Sequence, residues 1–228
     1  MQGDTIDQQL RDVILGRHSA VWRALQAHPL MVQRNLCALG HRELCSFVFK
    51  PGDRVWVLSY SPHASQNSDM LMQLSASPDS EIIYVGSSST IVCGMTDCYA
   101  YPRIKRQAEC EALGLTKSRL LTLGLVFEQP EQLPGGLNMA TSLDQLAAFI
   151  SNPQWPENGG RSKCLLTAIQ RPFGSAIEAW VYRSYGRWLQ FAGRWPCILR
   201  PIDLVLRALG WRWYGYVFLS NRLWTATI

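Results

Sequence analysis

Tyr84-Val85-Gly86-Ser87-Ser88-Ser89-Thr90-Ile91-Val92-Cys93-Gly94, followed by Tyr101-Pro102-Arg103-Ile104-Lys105, reads as an apolar strand that ends in serines. One short loop later, Tyr-x-x-x-Lys opens a helix. Positions four apart share a helix face, so Tyr101 and Lys105 are predicted neighbours. An ammonium beside a phenol favours the phenolate and lowers the tyrosine pKa toward the range useful to a general acid or base. Ser89, at the mouth of the strand, is placed to hold the substrate oxygen that Tyr101 protonates or deprotonates. The chemistry suggested is hydride transfer between a carbinol and a nicotinamide, with the cofactor carrying the redox step. The plainer alternative is a solvated helix start beside a serine turn.

Outward from this stretch the chain alternates strand and helix. Glu81–Val85 is the predicted serine-bearing strand and Pro102–Leu113 the helix that carries Lys105. Upstream, Asp12–Gly16 reads as a short buried strand ending in glycine. Ser19–Gln26 follows as a helix with Val21, Trp22 and Leu25 on one face. A strand, a glycine turn and a helix in this order cradle a dinucleotide pyrophosphate, which makes Gly16, Arg17, Ser19, Ala20 and Val21 candidate contacts. Leu30–Arg34 is a candidate second strand, Asp53–Tyr60 a buried strand after the Pro51-Gly52 turn, and Asp69–Leu74 a short helix. The alternation across 12–150 predicts an α/β fold, a parallel sheet with helices on both faces.

The Ser-Ser-Ser-x-x-x-x-Gly run, the Tyr101/Lys105 pair and the continuation Arg106-Gln107-Ala108-Glu109 resemble the extended short-chain dehydrogenase/reductase family, in its branch of sugar-nucleotide epimerases and dehydratases. The resemblance implies a Rossmann-like domain over residues 1–150 that binds NAD or NADP. It makes Ser89 the group that orients the substrate oxygen and Tyr101 the general acid/base. Lys105 would lower the Tyr101 pKa and bind the nicotinamide ribose. The end of the 53–60 strand, Leu58, Ser59 and Tyr60, would face the cofactor, and Arg34 would answer a 2′-phosphate, with an ordinary surface arginine as the alternative. Segments Ser118–Phe127 and Thr141–Ile150 resemble the family's later strand and strand-to-helix units. The chain departs from the pattern in three places. The Gly-x-x-Gly-x-x-Gly positions fall on Gly16, Ser19 and Trp22; the gap from Ser89 to Tyr101 is short; and Asn67 is a stand-in for the family's asparagine. A sugar nucleotide or related activated carbohydrate is the implied substrate. The competing reading is a non-catalytic descendant, a scaffold or regulatory subunit of a membrane-associated polysaccharide pathway.

With 228 residues, 47% hydrophobic and 17% charged, the chain can bury a sizeable core and is not of disordered composition. Its seven cysteines have no paired spacing, which argues for free thiols in a reducing compartment and against a metal site. The start is polar and no apolar run reaches the length of a membrane span, so a cytoplasmic protein is expected. The net charge of +5 is unevenly spread: residues 161–228 hold ten Lys/Arg and two acidic residues, and six of the nine tryptophans. Residues 151–162 read as a linker, and 151–228 as a small helical region rich in aromatics and arginine. For 176–228 three readings stand open: a cap or substrate lobe on the sheet, a peripheral contact with the inner face of a membrane, and a protein partner, with a homodimer among the expected assemblies. Nucleic acid is not expected, because the cations are spaced among bulky apolar residues.

Overall fold

The computed structural model describes residues 11–34, 36–77, 79–157, 161–192, 195–210 and 215–226. Six parallel strands form the main sheet: β1 (Asp12–Leu15), β2 (Leu36–Leu39), β3 (Arg54–Val57), β4 (Glu81–Ser87), β5 (Ser118–Leu123) and, later in the chain, β8 (Ser162–Leu165), in the order β2-β1-β3-β4-β5-β8. Five of the six are apolar runs, as expected of strands buried on both faces. Successive side chains serve opposite layers. Ile14, Trp56, Ile83, Val85, Leu121 and Leu123 pack on α1 (Ala20–Leu25), α2 (Pro29–Val32) and α5 (Leu143–Ser151). Val13, Leu15, Val55, Ile82 and Tyr84 pack on α3 (Ala64–Ser75) and α4 (Ala100–Leu113). The predicted Rossmann-like α/β sheet flanked by helices is therefore the observed fold.

The chain leaves β2 by a single 3₁₀ turn, His41–Ser46, and crosses β1 to reach β3 with no intervening α-helix. Strand order reverses at β1, where β2 lies on one side and β3 on the other. Ligands of open parallel sheets bind outside the carboxyl ends of the strands at such a switch point.

The second strand is not where it was expected. Leu30–Arg34 lies largely in α2, which His28 caps through its side chain and Pro29 opens at the first helical position, a place where proline's missing N–H costs nothing. The strand follows at Leu36–Leu39. The expected boundary at residue 150 also cuts through the sheet, because β8 pairs with β5 from the far side of the linker. A small second sheet joins β6 (Leu125–Phe127), β7 (Met139–Ser142) and β9 (Thr167–Ala168).

The C-terminal region is helical, as predicted: α6 (Ala176–Ala192), α7 (Pro196–Ala208) and α8 (Gly215–Ala226). Tyr182, Tyr185, Leu189, Leu199 and Phe218 form a third core, which closes on Val92, Leu133 and Ala140 of the sheet domain. The Trp224 indole N–H donates to the Ser88 carbonyl at 2.7 Å, pinning α8 against the 3₁₀ segment Ser88–Gly94. Helix α8 is thus part of the wall beside Tyr101.

Candidate active site

A cleft of about 610 Å³ runs along the carboxyl edge of the sheet across the switch point. Gly16, Arg17, Ser19, Ala20 and Val21 line its middle. Leu58, Ser59 and Tyr60 form the wall beyond β3, and Tyr101 and Lys105 stand at the far end. Gly16 has φ +116°, and a Cβ there would stand 2.8 Å from the Ser59 backbone nitrogen, so only glycine allows the β1 turn to close on the end of β3. Where the glycine fingerprint expects its second and third glycines, the Ser19 hydroxyl accepts the Trp22 N–H at 3.1 Å and the Trp22 ring fills the layer between helix and sheet. The turn is therefore kept, and the close approach of α1 is replaced by an indole.

Two sequence-predicted residues lie outside the cleft lining. Arg34 turns to the opposite end of β1, where it ion-pairs with Asp12 and donates to the Ser151 carbonyl at 2.7 Å. The misplaced second strand had put it at the wrong edge of the sheet. Ser89 is buried behind the cleft, its hydroxyl 2.9 Å from that of Ser87. Strand β4 ends at Ser87, and it is the Ser87 hydroxyl that meets the Tyr101 phenol and lines the cleft. Alternation puts Ser87 and Ser89 at positions of the same parity, and the end of the strand between them separates their roles.

Lys105 is 5% exposed. Its ammonium donates to the Val85 carbonyl at 2.8 Å and the Tyr84 hydroxyl at 3.2 Å, and lies 4.6 Å from the Tyr84 ring centroid. Burial pulls its pKa down to about 8, against the pull of the Glu109 carboxylate. The expected depression of the Tyr101 pKa is absent. Burial lifts the phenol above its ordinary value, and the Ser87 hydrogen bond only partly offsets this. At neutral pH the site presents a protonated phenol, with a cationic lysine in the same cleft, an arrangement suited to donating a proton.

Glu109, one turn beyond Lys105, is 2% exposed and accepts the Ser87 N–H at 3.0 Å. A Cβ on Gly86 would come within 2.4 Å of this carboxylate, so the glycine lets α4 reach the strand end. Around the phenol, Tyr60 meets Tyr101 edge-on at 4.9 Å and Tyr216 of α8 stacks on it at 5.2 Å. At the other end of the cleft stand Gly40 and His41, which follow the true β2; the His41 ring nitrogen pairs with the Ser59 hydroxyl. The early placement of β2 hid these two from sequence reasoning, and Tyr216 had no local signal at all.

The buried lysine has a consequence for stability. Its folded-state pKa lies below the unfolded one, so between about pH 8 and 10.5 the unfolded chain holds more protons. The cost of burying the ammonium is felt in full below that window and relieved as pH rises through it. Chemical denaturation at about pH 7 and about pH 9.5, below most tyrosine titration, should show the parent gaining stability relative to Lys105→Met. Equal pH dependence would place the Lys105 titration elsewhere.

No family model matches the chain, and no curated protein matches its sequence. Solved structures do. The dTDP-4-dehydrorhamnose reductase of Bacillus anthracis, crystallised with NADP, aligns over 68% of this chain and 74% of its own with a TM-score of 0.50 and 8% identity. A GDP-L-fucose synthetase of Naegleria fowleri, bound to NADP, aligns over 73% and 76% with a TM-score of 0.52 and 11% identity. This chain has their fold. At such identities the likeness is one of architecture, and the side chains in the cleft must speak for the chemistry.

Proposed function

We propose that the protein is an NAD(P)-dependent reductase, epimerase or dehydratase of the short-chain dehydrogenase type that acts in the cytoplasm on a sugar nucleotide or related activated carbohydrate. One observation carries the reading: Ser87, Tyr101 and Lys105 stand together at the end of a switch-point cleft that opens on a glycine turn. The cleft residues fit a dinucleotide, since the Gly16 turn, Ser19 at the start of α1 and Lys105 line one cleft. The dinucleotide, when bound, supplies or accepts the hydride. In the reducing direction the Tyr101 phenol gives its proton to the substrate oxygen as the carbonyl carbon becomes a carbinol. Ser87 orients that oxygen, and Ser89 backs Ser87 through the hydroxyl pair. Lys105 would hold its positive charge toward the nicotinamide ribose. The NADP-bound neighbours support the cofactor class, and their names support the substrate class.

NADP is the favoured form. The residue after β2 is Gly40, followed by His41 and Arg42, with Arg17 across the turn; the nearby Glu43 carboxylate is occupied by the Gly40 N–H at 2.8 Å and Arg17 at 2.9 Å. Both Glu43 oxygens already hold a partner, and the cations of this corner suit a 2′-phosphate. Calorimetric titration should show NADPH binding at least about tenfold tighter than NADH, a difference of roughly 1.4 kcal/mol. Binding of neither at millimolar concentration would refute the enzyme.

The second reading is the non-catalytic scaffold or regulatory subunit. Two observations favour it: Trp22 in the third glycine position and the Tyr216 ring stacked over Tyr101. It predicts no turnover, whether or not a dinucleotide binds, so binding and turnover assays on the same preparation separate the two.

A further inference from the structure

Helices α6 and α7 each carry an outward face of unusual composition. On α7, Ile198, Pro201, Leu204, Val205, Ala208 and Leu209 are exposed and fall within an arc of about 140° at 100° per residue. Leu204 is 71% exposed and Leu209 75%. The opposite side of the same helix is already used: Leu199 is buried in the third core, and Asp203 accepts the Tyr185 hydroxyl at 3.0 Å and the Gly215 N–H at 2.8 Å. The exposed stripe is therefore not the core-facing side of a misread helix. It is a second apolar face, one more than packing on the sheet domain needs. On α6, Ile177 (73% exposed), Trp180 (65%), Arg183 and Arg187 share an exposed arc of about 120°. An isoleucine, a tryptophan and two arginines thus follow one another along one side of this helix.

We propose that the outward faces of α6 and α7 dock the protein onto an anionic phospholipid surface, without spanning it. The apolar side chains of α7 and Trp180 would enter the headgroup boundary, and Arg183 and Arg187 would lie among the lipid phosphates. Charge decides between a bilayer and a second copy of the chain. A two-fold dimer would bring two copies of the same cationic surface together, in a segment, 161–228, with ten Lys/Arg and two acidic residues. An anionic surface complements that excess. No helix among the described residues is long and apolar enough to cross a membrane, so the contact is interfacial. The inference does not rest on the reaction proposed above. Because α8 is part of the wall beside Tyr101, it is tested with point variants in the full chain.

Co-sedimentation with phosphatidylcholine vesicles is compared with vesicles containing about one third phosphatidylglycerol, at low and high salt. The parent should bind the anionic vesicles and release as salt rises, because screening shortens the reach of the arginines. Arg183→Glu with Arg187→Glu should weaken partition by at least about tenfold, and Leu204→Glu with Val205→Glu should abolish it. Both pairs are exposed, and circular dichroism melts check that they fold. If the α7 pair does not fold, the α6 pair decides. Absence of the parent from anionic vesicles, equal binding to neutral ones, or variants that bind like the parent would overturn the proposal. So would a dimer in vesicle-free sedimentation that Leu204→Glu dissociates, with no lipid binding.

Discussion

Tyr101→Phe should reduce turnover by about 10²–10⁴-fold, the usual contribution of a positioned proton donor, while the fold and the dinucleotide affinity stay close to the parent's. Phe keeps the ring, and with it the stack on Tyr216 and the edge contact with Tyr60. It removes only the oxygen that meets Ser87. The pH dependence has a definite sign. Burial holds the phenol protonated above its ordinary range, so reduction, which consumes its proton, should proceed across neutral pH, and oxidation, which needs the phenolate, should rise toward alkaline pH. The assay is consumption of reduced nicotinamide with nucleotide-activated keto sugars, alongside a melting curve. A variant as active as the parent would make Tyr101 a packing residue. Ser87→Ala should lose more activity than Ser89→Ala, because Ser87 stands between Ser89 and the phenol.

Asp12→Ala should cost about 3 kcal/mol and lower the melting midpoint by roughly 6–12 °C for a chain of this size. The Asp12 carboxylate, 2% exposed at the start of β1, accepts both the Nε and an Nη of Arg54 at 2.9 Å, the Trp56 indole N–H at 2.9 Å, and an Nη of Arg34. Without it a buried indole N–H loses its acceptor, and two guanidinium groups face each other across the foot of the sheet. The arginines keep partial access to solvent, with 27% and 13% of their side chains exposed, which holds the cost below that of a fully buried ion. Asp12→Asn, which retains an acceptor for Trp56, should fall between. Thermal and urea unfolding measure both, and a loss under about 1 kcal/mol would mean that the arginines find water instead. The same network is why Arg34 is not free to read a cofactor phosphate.

Much of the fold was legible because local patterns and tertiary demands agreed. Asp12–Leu15, Arg54–Val57 and Glu81–Ser87 are short apolar runs between turn residues, and a parallel sheet buried on both faces asks for such runs. Tyr101 and Lys105 needed only helical spacing, and Gly16 only its place at a strand end. Where the patterns conflicted, the reading went astray. Pro29-Leu30-Met31-Val32 is apolar enough for a strand, yet a capping histidine and a first-turn proline make it a helix, and everything hung on the next strand shifted with it: Arg34 lost the cofactor, and His41 entered the cleft.

The strand and helix alternation, the α/β class, the Tyr-x-x-x-Lys pair and the excess of cations and tryptophans in the last third are all written in the order of residues along the chain. These depend on spacing along one element. Only the tertiary structure decided which serine faces the phenol, since Ser87 and Ser89 differ by where the strand stops. It alone showed that burial, offset only in part by Ser87, lifts the Tyr101 pKa, because desolvation is a property of everything packed around a group. It alone brought Tyr216, 115 residues away in the chain, onto the ring of Tyr101, and left the apolar side of α7 facing outward. Contacts between elements distant in sequence leave no periodic trace in either partner, so their physical consequences become visible only when the chain is folded.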